Sequence, residues 1–199
     1  MVHSLIQQMR FQLMDKEFRA ASAPLEVRED EGLIKVSGYA AVFDSETVIG
    51  GYYREKIERG AFSEAIGRDD VVFLINHDGL PMARTRSGTL KLTEDERGLF
   101  METELDPEDP EVKSIVPKMK RGDLDKMSFA FAPEVQEWDD SQEIPVRTIK
   151  KASLYDVSIV TFPAYDDTDI GLRSLEAHKK NSSEPVKVRM KMKLALSRG

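Results

Sequence analysis

The sequence predicts an antiparallel β-barrel, or a strongly curved sheet, of about six or seven strands with a few α-helices outside it. Three observations lead there. Strand-length apolar runs recur from residue 33 to residue 161. Only two internal stretches carry helical spacing. Strands and helices do not alternate regularly, as a doubly wound parallel sheet would require.

In chain order, residues 1–22 are mixed in character. Leu5, Ile6, Met9, Leu13 and Phe18 form an approximate helical stripe, read as an N-terminal arm or short helix. Leu33–Phe43 reads as a long strand, with Gly38 placed to bend or bulge it. A loop follows from Asp44 to Gly51. Ile57, Ala61, Phe62, Ala65 and Ile66 suggest a short helix over residues 54–66, ending at Gly67. Val71-Val72-Phe73-Leu74-Ile75 is a buried strand that stops abruptly at Asn76-His77-Asp78, with a turn at Gly79-Leu80-Pro81.

Runs at 88–93 and 99–105 flank the polar segment Glu94–Gly98 and predict a hairpin. Asp106-Pro107-Glu108-Asp109-Pro110 ends the second run and offers a helix start. Val112, Ile115, Val116 and Met119 then share one helix face, with Pro117 expected to kink or shorten the helix. Met127–Ala132 is a strand. A polar loop around Trp138 and Pro145 leads to Arg147–Lys150, and Leu154–Thr161 is the last core strand.

Composition narrows the chemistry. The 199 residues include no Cys, which excludes disulfides and thiolate sites, and three His, which makes a multi-His zinc centre a poor fit. No metal or cofactor is called for. No apolar run approaches a membrane span and no signal-peptide pattern opens the chain, so a cytoplasm is the expected setting. The net charge of −7 is uneven: from Glu176 onward seven Lys or Arg accompany two Glu, leaving −12 on the preceding residues. An acidic body with a basic tail argues against nucleic-acid binding as the main task. Val186–Leu194 alternates apolar with basic residues, a pattern expected to be disordered in solution and able to add to a sheet edge on an acidic partner.

Three residues stand out on three strands. His77 ends a buried strand at the rim of the core, where an imidazole can act as a base. Strand alternation turns Met127, Phe129 and Phe131 to one face and Ser128, Ala130 and Ala132 to the other, which clears bulk from around the serine hydroxyl. Asp156 lies among β-branched and aromatic residues, where a carboxylate needs a partner: a His ring or a cation such as Lys150 or Lys151. Alternation places it with Leu154, Ser158 and Val160. Each residue alone has an ordinary structural explanation, namely a strand cap, a satisfied hydroxyl or a salt bridge. Together they supply a base, a nucleophile and a carboxylate. The Gly-x-Ser-x-Gly elbow of the α/β-hydrolases is absent.

A wider set of motifs carries a resemblance. It comprises Val36-Ser37-Gly38-Tyr39-Ala40-Ala41-Val42-Phe43, Gly60-Ala61-Phe62, Asn76-His77-Asp78, Gly98-Leu99, Met127-Ser128-Phe129-Ala130-Phe131, and Asp156 through Ala164. The chain resembles the prohead proteases of tailed, lambda-like bacteriophages, a family similar in fold to the herpesvirus assembly protease. The resemblance implies a serine endopeptidase with His77 as base and Ser128 as nucleophile. Asp156 stands at a third position that is often Glu in the family. Backbone N–H groups near Thr161 and Ala164 are the expected oxyanion donors.

The implied partners are the major capsid protein with its scaffolding segment and the chain itself, in the host cytoplasm and the procapsid interior. A homodimer is left open, and neither nucleic acid nor membrane is expected. The corresponding division is an arm at 1–22, a protease domain at 23–175 and a basic tail at 176–199. The rival reading is a non-enzymatic scaffold protein that kept the barrel.

Overall fold

A computed structural model describes residues 16–21, 25–30, 32–162 and 172–180. The stripe at residues 5–13, Ala164 and the alternating segment Val186–Leu194 lie outside the described residues. Eleven strands are assigned: β1 (Glu17–Ala21), β2 (Leu25–Asp30), β3 (Leu33–Val42), β4 (Thr47–Ile49), β5 (Tyr53–Ile57), β6 (Val72–Ile75), β7 (Asp78–Arg84), β8 (Leu90–Glu94), β9 (Gly98–Leu105), β10 (Lys126–Asp139) and β11 (Val146–Val160). Helices α1 (Ser63–Arg68) and α2 (Pro110–Arg121) are inserted between them, and residues 172–180 are helical.

The expected barrel is not closed. Among the described residues the strands form a seven-stranded sheet, ordered β1-β10-β11-β5-β4 with β6 and β7 branching from β11, and a four-stranded sheet ordered β2-β3-β9-β8. No ladder joins the two sheets, so they pack as layers. Closure would need the outer strands of one sheet to find partners in the other. The shared core lies between them, with Val36, Leu99 and Met101 from the small sheet meeting Met127, Phe129, Phe131, Ile149 and Val157 from the large one.

The large sheet is organised by β11. One side pairs with β10 along almost its whole length. The other side takes β5 in parallel at residues 146–149 and β6 in parallel at residues 156–159. The chain between β5 and β6 runs along this same side, where Ala152 N donates to Ala61 O at 3.0 Å. The single helix expected over 54–66 is therefore a strand followed by α1. Tyr53, Glu55 and Ile57 alternate inward, a period of two that overlaps the helical spacing of the next ten residues.

The loop expected at 44–51 contains β4, and of the one around Trp138 and Pro145 only the part up to Asp139 belongs to β10. Helix α2 runs through Pro117 to Arg121, because that proline lies on the exposed face while Val112, Ile115, Val116 and Met119 are buried. Its ends follow local rules: the Asp109 side chain accepts from Glu111 N, and Gly122 takes the left-handed conformation at φ 82°. Gly98 serves a different purpose. A side chain there would put Cβ 2.0 Å from the Ala41 carbonyl oxygen, across the β3–β9 ladder.

The described end of the arm expected at 1–22 enters the sheet. Residues 17–21 pair antiparallel with β10, with Ala20 opposite Ser128 and Phe18 opposite Ala130. Its partners lie more than a hundred residues away.

Candidate active site

The central strands place Ser128. On β10 it sits between Ala20 of β1 and Ser158 of β11, and it is fully buried. Met127, Phe129 and Phe131 point into the core as alternation requires. The small residues opposite leave room for a neighbouring side chain, and that neighbour is His77.

Strand β11 places Asp156. A register shift occurs opposite Ala130 and Phe131: Asp156 pairs with Ala130, whereas Leu154 pairs with Phe131. Tyr155 is the extra residue of this bulge. Leu154 therefore joins Val157 and Ile159 in the core, not the face of Asp156 where simple alternation put it. Asp156 and Ser158 remain on the face of Ser128, and both are buried.

A two-residue hairpin turn places His77. Ile75 pairs with Asp78, leaving Asn76 (φ 51°) and His77 (φ 58°) as the central pair. Two left-handed residues suit the twist of a tight β-hairpin, but neither is glycine, so the backbone is strained. The turn falls here and not at Gly79-Leu80-Pro81, which belongs to β7. Asn76 anchors it: its backbone N donates to Ile159 O at 2.9 Å, and its Oδ1 accepts from Thr161 N at 2.9 Å. The ring of His77 is thereby carried back over β11.

The three groups form one chain of hydrogen bonds. His77 Nε2 is 2.7 Å from Ser128 Oγ, and His77 Nδ1 is 2.5 Å from Asp156 Oδ1. Ser158 Oγ donates to the same Asp156 oxygen at 2.8 Å, while Lys16 Nζ reaches its other oxygen at 2.9 Å. Burial pushes the Asp156 carboxyl up. Hydrogen bonds and charge from His77, with Lys16 adding to both, more than reverse that and hold it below its ordinary value. An ionised Asp156 fixes the Nδ1–H tautomer, so that Nε2 can accept the serine proton.

The alternative partners expected for Asp156 are engaged elsewhere: Lys150 pairs with Glu137 and Lys151 with Glu64. Other carboxylates near His77 and Ser128 in sequence, namely Asp78, Asp123 and Asp125, are exposed. Thr161 N donates to Asn76 Oδ1, which ties the end of β11 to the hairpin turn. Among the described residues no cluster of three His, Cys, Asp or Glu side chains could hold a metal.

Two neighbours carry no sequence signal. Phe18 lies against His77 with ring centroids 4.5 Å apart, and Arg19 O accepts from Ser128 Oγ at 2.9 Å. Both come from β1. Ser158 had a weak signal, being two residues from Asp156 on the same strand face.

The chain is 31% identical over 139 residues to the prohead protease of Enterobacteria phage HK97, an alignment spanning 67% of this chain and 57% of the relative. It is 27% identical over 150 residues to the prohead protease of Escherichia phage T5, spanning 74% of this chain and 67% of the relative. The chain thus covers little more than half the length of the first of these relatives. No solved structure matches it. The pattern of the family described as Caudovirus prohead serine protease matches residues 23–181, most of the sequence, and the chain belongs to that family.

Proposed function

We propose that the chain is a serine endopeptidase that cleaves the scaffolding portion of the capsid protein, and itself, during procapsid maturation. The observation that supports this most strongly is the unbroken hydrogen-bond chain from Ser128 Oγ through His77 to Asp156. Membership of the prohead protease family supports the substrate class.

In this reading Ser128 Oγ attacks the substrate carbonyl carbon as its proton passes to His77 Nε2. The resulting imidazolium is balanced by Asp156. The proton then goes to the leaving amine as the C–N bond breaks, which leaves an acyl-serine. A water molecule, deprotonated by the same Nε2, releases the acid and returns Ser128 to its hydroxyl form. All proton transfers use one ring nitrogen, so the geometry at Nδ1 is static and the fixed tautomer suffices.

The test is incubation of the purified chain with capsid protein, with and without Ser128→Ala. The substitution should lower cleavage by on the order of 10⁶ while leaving the melting temperature within a few degrees, since the hydroxyl packs no core side chain. Cleavage persisting near the unaltered rate would refute the assignment.

A further inference from the structure

Strand β1 has an unusual relation to the site it covers. Among the described residues it lies at the edge of the large sheet, paired on one side only, and it runs antiparallel to the strand that carries Ser128. Its Arg19 carbonyl oxygen is the acceptor 2.9 Å from Ser128 Oγ. An extended segment added to a sheet edge with one carbonyl at the nucleophile is how an endopeptidase holds its substrate backbone. The hydroxyl has one proton and two acceptors, Arg19 O and His77 Nε2 at 2.7 Å. While β1 is seated it competes for the proton that the base must take. It also removes Ser128 from solvent altogether.

The side chains of β1 are read on both faces. Phe18 covers the ring of His77. On the opposite face Glu17 and Arg19 enter a buried site formed by Glu55 on β5 and Arg147 on β11. Arg19 Nε donates to Glu55 Oε1 at 2.6 Å, and Arg147 reaches both Glu17 oxygens at 2.9 Å. Beside them opens a cavity of about 230 Å³ whose lining includes Arg19, Glu55, Thr47, Ile57 and Phe129. Glu55 and Arg147 do not depend on β1 for a partner, because they also bind each other at 2.9 Å. A pair complete in itself that further accepts one acid and one base is a receptor for an acid-x-base strand.

We propose that β1 fills, within its own chain, the seat of a substrate strand, and that Arg147 and Glu55 select substrates with an acidic residue two positions before a basic one. The proposal rests on the proteolytic reading of the site. A peptide entering this seat would displace β1 and put the carbonyl of its basic residue at Ser128 with the carbon facing Oγ. It would then be cut on the C-terminal side of that residue.

The experiment uses the full chain and two quenched fluorescent peptides, one containing Glu-Phe-Arg-Ala-Ala and one the charge-exchanged Arg-Phe-Glu-Ala-Ala. Phe18→Ala and Arg19→Glu both weaken the seating of β1. Phe18→Ala leaves all the inner ion pairs in place, so it carries the test if Arg19→Glu does not fold. Either variant should hydrolyse the first peptide at least about tenfold faster than the unaltered chain, because a larger fraction of molecules has an open seat. The cut should fall after Arg, and the exchanged peptide should be at least about tenfold slower. Glu55→Gln in the Phe18→Ala background should erase that preference.

Hydrolysis abolished by Ser128→Ala but unchanged by Phe18→Ala, or equal for both peptides, would overturn the inference and leave the protease standing. If no variant hydrolyses either peptide or capsid protein, and Ser128 does not react with a fluorophosphonate, the proteolytic reading falls and the inference with it.

Discussion

Strand β1 separates two polar clusters of very different character. Beneath it, Glu17, Arg19, Glu55 and Arg147 form a balanced set of two acids and two bases, each buried and each bonded to an opposite charge. Above it, Asp156 is a lone buried carboxylate shared by a half-buried His77, a partly exposed Lys16 and the Ser158 hydroxyl. The lower cluster has no proton to give at neutral pH, because both cations are guanidiniums. The upper one contains an imidazole between a hydroxyl and a carboxylate. The same strand thus rests on an inert network and covers a reactive one. The difference lies in which cation answers the acid: a guanidinium fixes geometry, whereas an imidazole can move a proton.

This contrast predicts opposite responses to losing a charge. Asp156→Asn should lower peptide hydrolysis by roughly 10⁴, if the site behaves as other serine triads do, with little change in thermal unfolding. Asp78→Asn, on an exposed β7 position, should leave the rate near that of the unaltered chain. Steady-state rates of the two variants measured side by side check this, and the reverse ranking would reassign the carboxylate.

Arg147→Met should act on stability. It leaves Glu17 and Glu55 with only Arg19 between them, and breaking a buried ion pair in this way costs about 3–5 kcal/mol. Urea unfolding measures it. A loss below about 1 kcal/mol would mean that the inner cluster is solvated and not the buried receptor described above.

The smallest effect is on pH. Burial pushes the Glu17 carboxyl up, but Arg147 and Arg19 outweigh burial and hold it below its ordinary 4.5. A group whose value is lowered on docking favours the docked state above its free value, and that favour fades as pH falls through the docked one. The same sign applies to Asp156 under Lys16. Docking of β1, followed by backbone NOEs between β1 and β10 in NMR, should weaken as pH falls below the ordinary carboxylate value of 4.5. Tighter docking in acid would contradict the ion-pair account.

Much of the site was legible in the sequence because each member lies where a local rule is violated. His77 and its polar neighbours interrupt a buried run, Ser128 stands on a small-residue face, and Asp156 is a carboxylate in a strand of β-branched residues. Strand alternation handled Ser128 correctly. It failed at Leu154, because the bulge at Tyr155 depends on the register with β10 and not on any residue of β11 itself. The role of β1 was invisible for a related reason. Lys16–Ala21 contains no feature that names a partner 110 residues later, and its mixed polarity matches two different faces, one against a charged pair and one against an imidazole. The barrel was mispredicted because counting strands constrains neither which edges meet nor whether they meet at all. Tyr53–Ile57 was misread because two periodicities overlap on Ile57.

The short connection between β1 and β2 has a quantitative consequence. Only residues 22–24 separate the two strands, so a displaced β1 never diffuses away. A segment joined to its neighbour by so few residues competes at an effective concentration of about a millimolar or more. Free peptide at micromolar levels would seldom win the seat against it. A tethered competitor of this kind would yield only to a matching segment present at a comparable local concentration.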